Sequence, residues 1–136
     1  MKILLAFLLF IPSLLFSQKL DDKLQARIEY SVNGKNANYI FYNANSWVEN
    51  EFRDRKMIMS ECDPNSKRIL GLVYDKDLDF IIEINCQDER FIVKFSNFFY
   101  RRKPLEHDDK KIEKINQYLF ELSGRMQKYI RYNEIH

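Results

Sequence analysis

Chemistry in this sequence would have to start from two thiols, Cys62 and Cys86, and two imidazoles, His107 and His136. His107 stands in Glu106-His107-Asp108-Asp109, a run of donors that a cation could use. A closed metal site needs a second ligand group at suitable spacing, and no such pair occurs. The same residues open a predicted helix, where acidic side chains complement the positive end of the helix dipole. That reading is preferred, and neither a metal nor a cofactor is expected. A cysteine nucleophile needs a base oriented by a third group. His107 lies beyond the last predicted strand and His136 ends the chain, so neither is placed for that role. A P-loop, a dinucleotide fingerprint and a nucleophile elbow are all missing from the sequence. The sequence is read as non-catalytic.

The elements that would hold these groups centre on Leu78 to Tyr100, which reads as a β-hairpin. Leu78, Phe80, Ile82, Ile84 and Cys86 alternate with more polar residues, and Phe91, Val93 and Phe95 repeat the pattern after Asp88-Glu89. Alternation sends each set to one side of a pleated strand. A two-residue turn sets Cys86 opposite Phe91, Ile84 opposite Val93 and Ile82 opposite Phe95. The same register sets Glu83 across from Lys94 on the other face. Continued alternation predicts Phe99 in the core, with Phe98 and Tyr100 outward.

Upstream, Leu24 to Val32 reads as a strand ended by Asn33-Gly34. From Asn36 to Phe52, Phe41, Ala44, Val48 and Phe52 fall at helical spacing, with Asn36 or Asn38 as cap and Asn43, Asn45, Glu49 and Asn50 opposite. Met57 to Glu61 and Arg68 to Tyr74 read as strands around a turn at Asp63 to Ser66. Taking Asp75-Lys76-Asp77 as the next connection pairs Tyr74 with Leu78, Leu72 with Phe80 and Leu70 with Ile82. Leu70, Leu72 and Tyr74 are then core, and Gly71 faces outward opposite Ile81. Near Asp108 a last helix begins, with Ile112, Ile115, Leu119, Leu122, Met126 and Tyr129 along one seam. Gly124 within it would suit close backbone packing.

These elements predict an α+β domain in the order β-α-β-β-β-β-α. A five-stranded antiparallel sheet would carry both helices on its one strongly apolar face. Cys86 would face that core and Cys62 the other side, too far apart for a disulfide. A loop one residue longer would reverse Cys62.

The chain has 136 residues, one domain's worth, with a formal net charge of +2. Interleaved acids and bases leave no electrostatic footprint for nucleic acid. Met1-Lys2, the apolar run Ile3 to Phe16 and then Ser17 have the layout of a secretory signal peptide, residues 1–17. The run is short of the roughly 20 residues a membrane-spanning helix needs. The expectation is export to the periplasm or beyond, with residues 18–136 as one domain and no integral membrane segment after cleavage.

One motif set resembles a known family. It comprises Trp47-Val48 with Phe52 on a helix, a short strand, Ile69-x-Gly71, Phe80-Ile81-Ile82-Glu83-Ile84, the Asp88 turn and Phe91-x-Val93. Together, over roughly Leu24 to Ile130, these resemble an uncharacterised (domain of unknown function) family of exported bacterial proteins described as having a TATA-binding-protein-like (TBP-like) fold. Members often carry Gly after the turn Asp, where this chain has Glu89. The resemblance implies a fold and an envelope setting. It carries no activity and no functional residues.

What remains is the outer sheet face, predicted to show Ile69, Val73, Ile81 and Ile92 among Asp79, Glu83, Lys94 and Ser96, with Phe98 and Tyr100 at its end. Apolar residues clustered on central strands suit a partner surface, for an envelope protein or a second copy of this chain. The alternative is a carrier holding a small apolar ligand between sheet and last helix, lined by Phe80, Phe95, Leu119 and Met126.

Overall fold

Strand alternation and helical stripes produce the expected order. A computed structural model describes residues 20–21, 24–53 and 56–132; the predicted signal peptide and His136 lie outside the described residues. The elements are β1 (Ala26–Ser31), α1 (Ala37–Glu51), β2 (Lys56–Asp63), β3 (Arg68–Asp75), β4 (Leu78–Gln87), β5 (Arg90–Tyr100), β6 (Lys103–Pro104) and α2 (Asp109–Tyr132). The sheet is antiparallel in the order β1-β5-β4-β3-β2, with the two-residue β6 added to β5. Both helices pack on the face carrying Phe80, Ile82, Ile84, Phe91, Val93 and Phe95, all fully buried in one core.

The β4–β5 register is the predicted one: Ile82 pairs with Phe95, Glu83 with Lys94, Ile84 with Val93 and Cys86 with Phe91. Its turn holds Glu89 at φ 62, the left-handed region that favours glycine. Hydrogen bonds offset that strain. Glu89 N donates to Lys35 O at 2.8 Å, Val32 N donates to Glu89 O at 2.8 Å, and Gly34 N donates to the Glu89 carboxylate at 3.1 Å. Beside it, the Asp88 carboxylate accepts from Ala37 N at 2.8 Å while Asn36 caps Tyr39 N at 2.9 Å. Two side chains thus satisfy amides that α1 cannot satisfy itself. Asp88→Ala should cost about 1 kcal/mol of stability in urea unfolding; an unchanged midpoint would show that the turn carboxylate does not cap the helix.

The β3–β4 register differs by one residue. The connection is Lys76-Asp77 alone, so Asp75 pairs with Leu78, Val73 with Phe80, Leu72 with Ile81 and Gly71 with Ile82. A one-residue slip sends every side chain of a strand to the opposite face. Ile69 and Val73 are therefore core residues, each 0% exposed, and Leu70, Leu72 and Tyr74 face outward. Gly71 faces the core as well. A Cβ there would collide with the terminal methyl of Met57, which crosses over it from β2.

The β2–β3 loop is likewise displaced. Asp63 pairs with Arg68 and Cys62 with Ile69, so Cys62 lies on the helix side, and both thiols are free. Two other expectations fail. Asn43 is fully buried, its side-chain amide donating to Tyr39 O at 2.9 Å. Gly124 is exposed, with open space where a Cβ would stand.

At the far end of β5, Asn97 adopts φ 54, and Asn97 and Phe98 together oppose Phe80 alone. This β-bulge inverts the alternation beyond it. Phe98 turns into the core at 5% exposure and Phe99 faces out at 40%. Tyr100 returns to the core side, half-buried under Lys111, whose ammonium is 5.1 Å from the ring centroid.

Candidate functional site

Of the six residues expected on the outer sheet face, Ile81 and Ile92 lie there, half-buried. Ile69, Val73, Phe98 and Tyr100 do not, for the two reasons just given: the slipped β3 register and the Asn97 bulge. The slip supplies replacements. Ile58 of β2 pairs with Leu72 of β3, and Leu72 pairs with Ile81 of β4, so three adjacent strands present a continuous apolar strip. Ile58 is 58% exposed. Toward the end of the sheet with the Lys76-Asp77 and Arg101-Arg102 turns, the same face carries Tyr74 and Phe99 with Asp79 between them. The sequence signal for Leu72 and Tyr74 was present, since their strand is apolar on both faces; only the loop length decided which set faced out.

Next to the strip, along the strands, the face becomes ionic. The Arg68 guanidinium reaches Glu61 at 2.5 Å and Glu83 at 2.8 Å, and Asn85 donates to the other Glu83 oxygen at 2.8 Å. Partial burial pushes the Glu83 carboxyl up, but the hydrogen bonds from Arg68 and Asn85 and the charges of Arg68 and Lys94 outweigh it and hold its pKa below the usual range. The cluster ties Arg68, Glu61, Glu83 and Asn85 into one polar patch.

The residues singled out for chemistry are not brought together. His107 is exposed in the segment before α2. The Asp108 carboxylate accepts from Lys110 N at 3.1 Å and Lys111 N at 3.3 Å, the predicted role of an acid at a helix start. No group of three or more His, Cys, Asp or Glu side chains suited to a metal ion occurs among the described residues. Cys62 Sγ donates to Asn45 Oδ1 on α1 at 3.5 Å. Burial, with the charges of Glu49 and Asp63, raises its pKa, so the thiol stays protonated at neutral pH, the reverse of an activated nucleophile. Phe80, Phe95, Leu119 and Met126 are fully buried in one core, and the Phe80 ring packs against those of Phe95, Phe98 and Tyr118 at 5.8–6.0 Å. A ligand in that layer would have to displace core side chains.

The architecture matches solved structures. A TBP-like protein from Parabacteroides distasonis superposes with a TM-score of 0.69 at 13% identity, over 87% of this chain and 99% of that one. The fold is TBP-like. A DUF4468 family protein from Bacteroides ovatus has a TM-score of 0.58 at 13% identity, over 86% of this chain and 90% of that one. No family model and no curated protein matches the sequence. At such identities the likeness establishes the TBP-like fold and leaves function to the site. No helix among the described residues is long and apolar enough to cross a membrane.

Proposed function

We propose that this TBP-like domain is a non-catalytic interaction module of the bacterial envelope, secreted or periplasmic, whose contact surface is the outer sheet face. One observation carries the reading: Ile58, Leu72 and Ile81 stand side by side on three neighbouring strands, on the face that the helices leave open. A sheet covered on one side needs apolar residues on one face only, and polar residues normally occupy the other. An apolar strip running from the edge strand β2 across β3 to β4 goes beyond what folding requires and suits a partner's apolar surface. The Arg68–Glu61–Glu83 cluster would set the polar edge of the contact. The apolar stretch Ile3 to Phe16 supports the setting outside the cytoplasm.

Ile81→Lys and Leu72→Lys should each change stability by no more than about 1 kcal/mol, since both side chains border solvent. Each should abolish capture of a partner from envelope extract, or self-association measured by light scattering. If both variants bind and assemble as the parent does, this face is not the contact surface.

A further inference from the structure

The β3–β4 and β5–β6 turns meet at one end of the sheet, where Arg101 N donates to Asp77 O at 2.7 Å. Around them Ile58, Tyr74, Lys76, Asp77, Asp79, Arg101 and Arg102 line an open depression of about 920 Å³. Its three cationic residues share one property. Lys76, Arg101 and Arg102 all have left-handed backbone, at φ 55, 51 and 67. The Arg101-Arg102 loop has both φ values positive, a geometry that favours Asn-Gly, and an L residue with a Cβ pays about 1–2 kcal/mol to adopt that region. Leu24, Lys67 and Glu89 adopt the same region elsewhere in the chain, so what sets this end apart is that three such residues are cationic and line one depression. Strain of this kind collects at ligand clamps.

The charges are also available. Neither Lys76 nor Arg102 has an ion pair or hydrogen bond with a described residue. Arg101 is engaged more loosely than a tight ion pair would hold it, its Nε 3.7 Å from the Asp77 carboxylate and its guanidinium 5.4 Å from the Tyr100 ring centroid. The floor is apolar, with Ile58 58% and Tyr74 37% exposed. Set against Asp77 and Asp79, the three cations leave a single excess positive charge. That balance suits a monoanion and disfavours a polyanion such as nucleic acid.

We propose that this depression binds a singly charged amphipathic anion, a carboxylate on an unbranched apolar tail. The headgroup is held between Lys76 and Arg102, and the tail lies over Ile58 and Tyr74 toward Leu72. The site shares Ile58 and Tyr74 with the proposed contact face and borders Leu72, but does not depend on that face having a partner.

Isothermal titration of the full chain with sodium dodecanoate, below its micellar concentration, tests this. Saturable one-to-one binding with Kd at or below about 0.1 mM is expected, weakening as salt is raised because the charges are exposed. Acetate, which lacks the tail, and dodecyltrimethylammonium, which reverses the charge, should not bind. The double variant Arg101→Asn/Arg102→Gly should bind dodecanoate at least tenfold more weakly while unfolding at higher urea than the parent. That opposition of affinity and stability would not arise from arginines kept for the turn. Lys76→Gly, in the other turn, should weaken binding severalfold and carries the test if the double variant does not fold. Absence of saturable binding, equal affinity in the variants, or equal uptake of the cationic amphiphile overturns the proposal. Loss of partner capture in Ile81→Lys with dodecanoate binding intact would separate this site from the contact face.

Discussion

Phe98→Ala should cost about 3 kcal/mol of stability, and the same truncation at its neighbour Phe99 less than about 1 kcal/mol. The two residues are chemically identical and adjacent, so the difference isolates burial. Phe98 is 5% exposed and stacks on Phe80 with ring centroids 5.8 Å apart. Removing it deletes the transfer free energy of a buried ring and leaves a cavity beside Phe80, which for Phe→Ala in cores costs roughly 3–5 kcal/mol. The lower end is expected here, because the residue lies near the end of its strand and the site can partly collapse. Phe99 is 40% exposed and loses little on truncation. Simple alternation along β5 predicts the opposite order. Urea unfolding of the two variants therefore tests the bulge at Asn97 directly. Equal losses, or a larger loss at Phe99, would show that the strand runs through Asn97 without a bulge.

That contrast marks where the sequence was legible. The β4–β5 register could be read because both faces agreed on it: apolar pairs on one side and Glu83 with Lys94 on the other. Helix α1 could be read from its stripe and from Asn36 and Asn38, a residue type that caps, of which Asn36 takes the role. The register of β3 could not, because Ile69, Leu70, Leu72 and Val73 make both faces of that strand apolar. Alternation then has no contrast to report, and the turn length alone sets the facing. The turn gave no signal either, since its left-handed position holds Lys76 instead of a glycine or asparagine. The bulge did leave a mark in Asn97, a residue depleted in strands and enriched in left-handed backbone. The candidate surface inherited both errors. Ile81 and Ile92 came from the strand whose register was overdetermined, or from its partner, and stayed on the outer face. Ile69 and Val73 came from the ambiguous strand and became core, and their places went to Leu70, Leu72 and Tyr74. Asn43 was misplaced for a different reason: its amide is satisfied within α1, by Tyr39 O, which lets a polar residue sit on the buried side.

The largest pH effect should come from Cys86 and should appear on the alkaline side. Its thiol faces the core opposite Phe91 at 5% exposure. Burial, with a smaller contribution from the neighbouring Cys62 thiol and a small opposing one from Lys67, pushes its pKa up to about 12 from an ordinary 9.0. In the unfolded chain the thiol loses its proton near the ordinary value, while the folded chain keeps it. Between these two values the native state binds more protons than the unfolded state, so stability falls as pH rises. The loss should approach about 1.4 kcal/mol per pH unit, or roughly 2–3 kcal/mol between pH 9 and 11. Unperturbed tyrosine and lysine side chains have pKa values of about 10, so the measurement has to be a difference. Urea unfolding at pH 8, 9, 10 and 11 should be compared for Cys62→Ala and for Cys62→Ala/Cys86→Ala, which removes the exposed thiol from both. At pH 8 the double variant should be the less stable by the cost of a small cavity. By pH 11 that gap should have closed or reversed, because only the chain retaining Cys86 gains an ionised thiol on unfolding. A gap that stays constant across the range would mean that Cys86 titrates alike in folded and unfolded chains, and therefore is not held against the sheet in the core.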